Sequence, residues 1–250
     1  MEKFPVCSSN NTPLEINLLN VQGLTHAKWL ELESFITFSS ILCITETHQK
    51  IFKFNIPDKI LHIHSFRKEG DKKGGGLSIL MKEGKGRKME KISTNHRDIL
   101  HAKCTVRSFS FSLILIYLAS DDNDRNDQID IELLRILNGI QESPFVLLGD
   151  FNGHIGFLGL QPVNKNGNRI LDWMITFNLI LLNGDANCSG EITWHSRGID
   201  SAIDFVFVNN LMYDKYINMH IDENKEKFDL SDHNMVSVYF NIFFGSPKLF

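Results

Sequence analysis

In Phe145-Val146-Leu147-Leu148-Gly149-Asp150-Phe151-Asn152-Gly153-His154, a run of four apolar residues ends in a glycine, an acid and an amide. A short apolar run bounded by turn residues reads as a buried strand. The glycine allows a tight exit, the aspartate is delivered to the strand end, and Asn152 supplies a neutral amide able to orient a neighbour or an oxyanion. Taken alone, the stretch reads equally well as an Asx-type turn between strand and loop. Its weight comes from repetition. Leu14 to Leu19 run into Asn20, and Ile41 to Ile44 into Thr45-Glu46. Ile203-Asp204 opens Phe205-Val206-Phe207-Val208, and Ser231-Asp232-His233-Asn234 precedes Met235 to Phe240. An open α/β sheet gathers strand-end residues along one crevice. Carboxylates, amides and an imidazole gathered there make a site for a hard cation with a proton-transfer group beside it.

The rest of the chain supplies the frame. Thr25 can cap a helix carrying Trp29, Leu32 and Phe35/Ile36; Ile129, Leu133, Leu137 and Ile140 form one stripe before Pro144; Ile170, Trp173/Met174 and Phe177 form another. Strands are predicted at 77–81, 100–106, 109–117, 145–148, 179–183, 203–208 and 235–243. Strand-helix-strand units flank a central run of hairpin-like strands, which predicts two mixed sheets packed together with helices outside, a four-layer α/β sandwich. With 250 residues and 42% hydrophobic content, one domain over residues 14–243 is expected, with tails at 1–13 and 244–250.

The apolar stretches all fall short of the ~18 residues of a membrane span, and the N-terminus lacks the apolar core of a secretory signal, so a soluble intracellular protein without membrane partners is expected. Cys7, Cys43, Cys104 and Cys188 have no paired spacing for zinc or redox chemistry. The net charge of −4 argues against a globally basic nucleic-acid binder, yet residues 50–91 hold twelve Lys/Arg against five Asp/Glu. Around Gly74-Gly75-Gly76 this basic segment reads either as a mobile loop meeting a polyanion or as a solvated hairpin whose lysines keep an edge strand soluble.

Adjacent side chains on an extended segment point to opposite sides, so Asp232 is poorly placed to steer His233, and Asp204 is the better partner for the imidazole. His62 and His64 are explained by strand alternation and His154 by a place in the cleft. The acidic run from Asp121 to Asp127 lacks the glycine and the final acid of a calcium loop. Trp194 and His195 precede the Asp204 strand and read either as contacts to a ligand or, for the Trp, more plainly as packing.

Six motifs then stand in an order that resembles the endonuclease/exonuclease/phosphatase superfamily: Asn20-Val21-Gln22-Gly23-Leu24, Thr45-Glu46-Thr47, Tyr117, Gly149-Asp150-Phe151-Asn152, Ile203-Asp204-Phe205 and Ser231-Asp232-His233. The chain is most similar to the abasic-site-endonuclease-like domains of arthropod-type non-LTR retrotransposons, over residues 14 to 242. The subgroup likeness rests on Leu147 to Gly159, Asn168-Arg169-Ile170-Leu171, Leu181-Leu182-Asn183-Gly184-Asp185 and Thr193-Trp194. The resemblance implies a DNase I-like sandwich that hydrolyses phosphodiesters with Mg²⁺ or Mn²⁺, acts on double-stranded DNA as a monomer, and works in the nucleus because its substrate is there. It implies Glu46 as the main metal ligand with Asn20 beside it and Asp232 completing the metal side. Asp150 would orient or deprotonate water, Asn152 would fix Asp150 or the phosphate, Tyr117 would reach a phosphate oxygen, and His233, paired with Asp204, would contact the scissile phosphate. Gln22 departs from the pattern where abasic-site endonucleases carry an aspartate, which puts a second ion in question; Tyr117 also lacks the proline usually two places on. Competing expectations are a phosphatase or RNA nuclease of the same superfamily, and a non-catalytic remnant or domesticated binding protein that kept the fold.

Overall fold

The computed structural model describes residues 12–67, 74–158 and 161–244. Lys68, Lys72 and Lys73 of the basic segment, Gly159, and the expected tails apart from Thr12, Pro13 and Phe244 lie outside the described residues. In chain order the elements are β1 (Thr12–Asn20), α1 (His26–Glu33), β2 (Ser40–Thr45), β3 (Ile60–Ser65), β4 (Leu77–Lys82), β5 (Arg87–Ile92), β6 (Ile99–Val106), β7 (Phe109–Tyr117) and α2 (Asn123–Ile140). There follow β8 (Phe145–Asp150), α3 (Lys165–Phe177), β9 (Ile180–Leu181), β10 (Cys188–Ser189), β11 (Trp194–Ser196), β12 (Ile199–Ser201), β13 (Asp204–Val208), α4 (Asn210–Tyr213), β14 (Tyr216–Ile221) and β15 (Val236–Phe244).

These strands form two large mixed sheets, ordered β10-β14-β15-β1-β2-β4-β3 and β5-β6-β7-β8-β13-β9, with a separate β11-β12 hairpin. Alternation along each strand assigns the faces. Leu14, Ile16, Leu18, Ile41, Cys43 and Ile79 of the first sheet meet Leu113, Leu115, Val146, Leu148 and Val206 of the second in one buried cluster. The opposite side chains face helices: Leu19, Leu42, Ile44 and Leu80 pack on Trp29 and Leu32 of α1. Ile114, Leu147, Phe205 and Phe207 pack on Ile129 and Leu133 of α2 and Ile170 and Trp173 of α3. Helix, sheet, sheet, helix is the four-layer sandwich expected from the sequence.

Local chemistry sets the helix bounds. The Thr25 hydroxyl accepts from Lys28 N at 3.3 Å, Asp122 accepts from Arg125 N at 3.1 Å, and Asn164 accepts from Gly167 N at 2.7 Å, so each N-terminal turn finds a side-chain acceptor. The acidic run after Tyr117 is thus the capped start of α2. Helix α1 stops at Glu33, and Phe35 and Ile36 join its apolar cluster from the following turn. Strand β9 spans two residues where five were predicted. Sequence reading passes over β5, β10, β11, β12 and β14; β5 and β14 leave most residues half-exposed or exposed, so neither carries a run of apolar residues.

Gly149 lies in β8 where its neighbour β7 comes very close: a Cβ there would stand 1.9 Å from the Ile116 carbonyl oxygen, its register partner. Gly149→Ala is expected to destabilise folding by about 1–3 kcal/mol through forced strand separation, read as a lower urea midpoint; an unchanged midpoint would contradict this close approach.

Candidate active site

The strand register brings the predicted residues to one rim. Asn20 and Thr45 are neighbours at the ends of parallel β1 and β2, and Glu46 follows at once. In the second sheet Tyr117 pairs with Asp150 across parallel β7 and β8, and Asp150 pairs with Asp204 across antiparallel β8 and β13. The turn bearing Asp232 and His233 precedes β15, which pairs with β1. Ser231 closes that approach by donating to the Asn20 carbonyl at 2.7 Å.

Asp150, Asp204 and His233 are buried, and one ligand atom from each lies within 4.8 Å of the others. His233 Nδ1 and Asp204 Oδ2 are 2.7 Å apart, whereas His233 Nε2 stands 3.9 Å from Asp232 Oδ1. The distant acid holds the ring and the adjacent one does not, as the pleat requires. Burial opposes charge on His233, but Asp204, then Asp150 and Asp232, outweigh it and lift its pKa to about 9. At neutral pH His233 is therefore an imidazolium, with Nδ1 committed to Asp204 and Nε2 directed away from it. Asp150 is raised well above the usual carboxylate range, first by burial and then by the charge of Asp204, with Glu46 adding to it.

Asp150 is held from both sides. Its Oδ1 accepts from Asn152 N at 2.9 Å, and its Oδ2 accepts from Asn20 Nδ2 at 2.8 Å and Asn152 Nδ2 at 3.3 Å. Asn152 also donates Nδ2 to the Leu118 carbonyl at 2.9 Å and adopts a left-handed backbone, φ +44°, which an asparagine tolerates. Asn20 turns its amide N–H to the carboxylates, since its Oδ1 accepts from Gln22 N at 2.9 Å. It thereby bridges Asp150 and Glu46, the acid expected to hold a metal.

Glu46 occupies another left-handed position, φ +51°, and its Oε2 lies 3.0 Å from His48 Nε2. Burial pushes its pKa up, but hydrogen bonds from His48, Tyr117 and Asn20 prevail and hold it below the usual value, so it is ionised. Burial, followed by the charges of Glu46 and Asp150, drives the Tyr117 hydroxyl strongly upward, so it remains protonated and a donor. Arg125, gripped by Asp98 through bonds of 2.6 and 2.7 Å, sits 5.6 Å from the Tyr117 ring centre. Gly74 lies against the Tyr117 hydroxyl, where a Cβ would come within 2.1 Å of that oxygen. Thr47 N and His48 N donate to the Gly76 and Gly75 carbonyls at 3.0 and 3.1 Å, so this end of the triple glycine is tied to the site wall.

A cavity of about 420 Å³ opens here, lined by Gln22, Glu46, His48, Arg67, Gly74, Tyr117, Ser120 and Asn152. His154, expected in the cleft, sits beside the start of α3, its N–H donating to Asn164 Oδ1 at 3.0 Å. A second cavity, of about 390 Å³, lies near the end of α2, lined by Leu137, Phe145 and Asn210 among others, away from these acids.

Asp232 Oδ2 accepts from Gln22 Nε2 at 2.7 Å and Trp194 Nε1 at 2.9 Å. Gln22 thus places a neutral donor where the resemblance would have an acid, and the indole N–H of the half-buried Trp194 is committed to Asp232. Lys225 donates Nζ to the Ser231 and His233 carbonyls at 2.8 and 2.5 Å and holds the turn. Sequence reading missed Trp194 as a carboxylate donor, together with His48 and Lys225; no motif marks the last, and only proximity to Glu46 marks His48.

Hard oxygen donors dominate this rim. Asp204 Oδ1 and Asp232 Oδ1 are buried with no hydrogen-bond partner, and Glu46 is ionised, so each is a hard donor of the kind a small divalent cation takes. Among the described residues Glu46 and Asp232 do not join the Asp150-Asp204-His233 group.

Residues 111–237 match the model of the family described as endonuclease-reverse transcriptase. A search among curated proteins finds no match to the sequence. Among solved structures, the endonuclease domain of TRAS1, a telomere-specific non-LTR retrotransposon, is 17% identical with a TM-score of 0.70, over 91% of this chain and 98% of that one. The AP endonuclease LMAP from Leishmania major is 13% identical with a TM-score of 0.74, over 91% and 87%. The 3′ phosphatase NExo from Neisseria, bound to a product DNA hairpin, is 17% identical with a TM-score of 0.67, over 91% and 99%. The fold is that of the endonuclease/exonuclease/phosphatase sandwich, DNase I-like, shared by nucleases and a phosphatase.

Proposed function

Because this chain belongs to the endonuclease-reverse transcriptase family, we propose that it is a divalent-metal-dependent phosphodiesterase that nicks double-stranded DNA and derives from a retrotransposon. The observation that carries this reading is the convergence of Asp150, Asp204 and His233 beside a cleft walled by Glu46, Tyr117 and Asn152.

Phosphodiester hydrolysis needs a nucleophilic water and compensation of charge building on phosphorus. Asp150, raised in pKa and fixed by Asn20 and Asn152, acts as the base or orienting acceptor for the water. His233, cationic and backed by Asp204, turns Nε2 to the phosphate and stabilises the developing charge. Tyr117, kept protonated and bonded to Glu46 in the free protein, would turn its O–H to a phosphate oxygen when substrate binds, and Asn152 steadies Asp150. Glu46 would hold Mg²⁺ or Mn²⁺, which supplies Lewis-acid charge compensation when bound. The Asp150-Asp204-His233 group is the poorer holder, because an imidazolium has no lone pair to give and repels a cation. Asp232, with one oxygen engaged by Gln22 and Trp194 and the other buried without a partner, would complete the metal side. The absence of a second acid at position 22 favours a single ion. The protein works as a monomer, in the nucleus, where its DNA substrate resides.

The test is incubation of supercoiled plasmid with the protein and Mg²⁺ or Mn²⁺. Relaxed and linear products are expected, binding should weaken steeply with rising salt, and EDTA should stop cleavage. Lack of product from the wild type in either metal would refute the reading and leave the phosphatase, RNA nuclease and binding-protein alternatives. Separately, Glu46→Gln should abolish the rise in melting temperature that Mn²⁺ gives the wild type; a retained rise would move the ion elsewhere.

A further inference from the structure

The edge strand β3 carries a column of rings that no motif had singled out. Leu61 and Ile63 face the core between the sheets, so His62, His64 and Phe66 share the outer face. His62 and His64 ring centres are 4.7 Å apart, His64 and Phe66 4.2 Å, and Phe52 lies 4.3 Å from His62. Trp29 and Phe54 extend the column from α1, at 5.9 Å from each other. Burial lowers the pKa of His62 to about 3 and shifts His64 down as well, so both are neutral rings fit to pack on an aromatic neighbour. Phe66 ends the column and is 37% exposed.

Register fixes where that end lies. Asn20 is level with Thr45, Ile44 with Ser78, and Ser78 with His64; one step further, Ser65 is level with Leu77. Strand β3 is antiparallel to β4, which is antiparallel to β2, so β1, β2 and β3 all end on the same rim. Phe66 follows β3 as Glu46 follows β2, two strands aside, or about 10 Å at the spacing of neighbouring strands. Its successor Arg67 lines the cavity with Glu46, and the Arg67 N–H donates to the Gln49 carbonyl at 3.0 Å, which fixes the backbone that presents Phe66. The surrounding segment, residues 50–91, is the most basic of the chain.

A buttressed ring at the end of the most basic segment, beside the cleft read above as the phosphate site, fits a nucleobase whose face is free. We propose that Phe66 is a nucleic-acid stacking residue, which takes an unpaired or unstacked base of the DNA about three base steps, at ~3.4 Å each, from the phosphate beside Glu46. The inference rests on the nuclease reading for its substrate class and adds a preference for DNA with a single-stranded or distorted segment beside the cut. Phe66 touches the base and not the reacting atoms, so its loss weakens DNA binding while the chemistry remains.

The experiment compares wild type, Phe66→Ala and Phe66→Trp with Ca²⁺ in place of the catalytic metal. The probes are a fully paired duplex and the same duplex with a short single-stranded gap containing 2-aminopurine. Wild type should bind the gapped DNA more tightly and change the 2-aminopurine emission. Phe66→Ala should bind it about 5- to 100-fold more weakly, the range of one lost base–aromatic stack, and Phe66→Trp should restore both signals. Hydrolysis of bis-p-nitrophenyl phosphate with Mn²⁺ should be the same in all three. Equal binding by Phe66→Ala, an equal loss on paired and gapped DNA, or failure of Phe66→Trp to restore binding overturns the stacking role. If wild type hydrolyses the small diester but binds neither DNA, both the substrate class and the stacking role fall. If it binds gapped DNA through Phe66 yet cleaves nothing, the stacking role stands and the catalytic reading falls.

Discussion

Asp150→Asn is expected to lower metal-dependent plasmid nicking by on the order of 10²-fold or more, the usual cost of losing a general acid–base group. The substitution keeps the shape of the side chain and removes its capacity to take a proton from water. The oxygen that accepts from the Asn152 N–H can be retained, whereas the new amide meets the donor of Asn20. A modest change in stability is therefore expected beside a large change in rate, and circular dichroism together with thermal melting separates the two. DNA affinity measured with Ca²⁺ should change far less than the rate. Near-wild-type nicking by a folded Asp150→Asn protein would remove Asp150 from the chemistry and shift the role of base to another group.

The Asp204–His233 pair carries the second large effect. Asp204→Asn is expected to lower the rate by at least ~10²-fold at neutral pH, because the imidazolium loses the charge that sustains it. The sign of the pH effect follows from the direction of the shift. The folded pKa of His233, about 9, lies above its ordinary value of 6.5, so the pair contributes stability that is fully present below pH 6.5 and is lost as pH rises through 9. The urea midpoint of the wild type should fall across that window, and the fall should shrink in Asp204→Asn. The alkaline limb of the rate profile should move to lower pH in the same variant. His233→Ala is the harsher change: it strands a buried carboxylate, at a cost of about 3–5 kcal/mol, so its inactivity is informative only with a folding measurement beside it. A wild-type midpoint flat from pH 6.5 to 9.5 would show that His233 is not charged in the folded protein.

Much of this was legible in the sequence because strand-end residues announce themselves. Asn20, Glu46, Asp150 and Asp204 each adjoin an apolar run, and the sheet places them together without further instruction. The choice of Asp204 over Asp232 as the partner of His233 followed from the pleat alone, and the 2.7 Å contact agrees. What stayed hidden depends on distances between parts of the chain that share no motif. Asn20 was read as standing beside a metal; its amide orientation is set by Gln22 N, a backbone group that carries no sequence mark. Trp194 reaches Asp232 only because the β11-β12 hairpin folds against the His233 turn, where residues 194 and 233 form an isolated bridge. Lys225 is one basic residue in a polar loop, and the Asp222 carboxylate that accepts from the N–H groups of Glu226 and Lys227 is what shapes this loop. Of the basic residues of β5, Lys88 and Lys91 are exposed on an edge strand, while Arg87 turns inward to the Phe38 and Ser40 carbonyls, a difference that composition does not mark.

The position of β15 has a bearing on how the molecule comes into being. It follows every other element among the described residues yet is inserted between β14 and β1, and the turn just before it brings His233 to Asp204. During synthesis the earlier strands emerge first, at roughly 5–20 residues per second, and wait with an unfilled slot at the centre of a sheet. Until that slot closes, the carboxylates of Asp150 and Asp204 have no imidazolium opposite them. The contact that sustains the His233 charge thus forms only once β14 and the turn before β15 have joined the sheet.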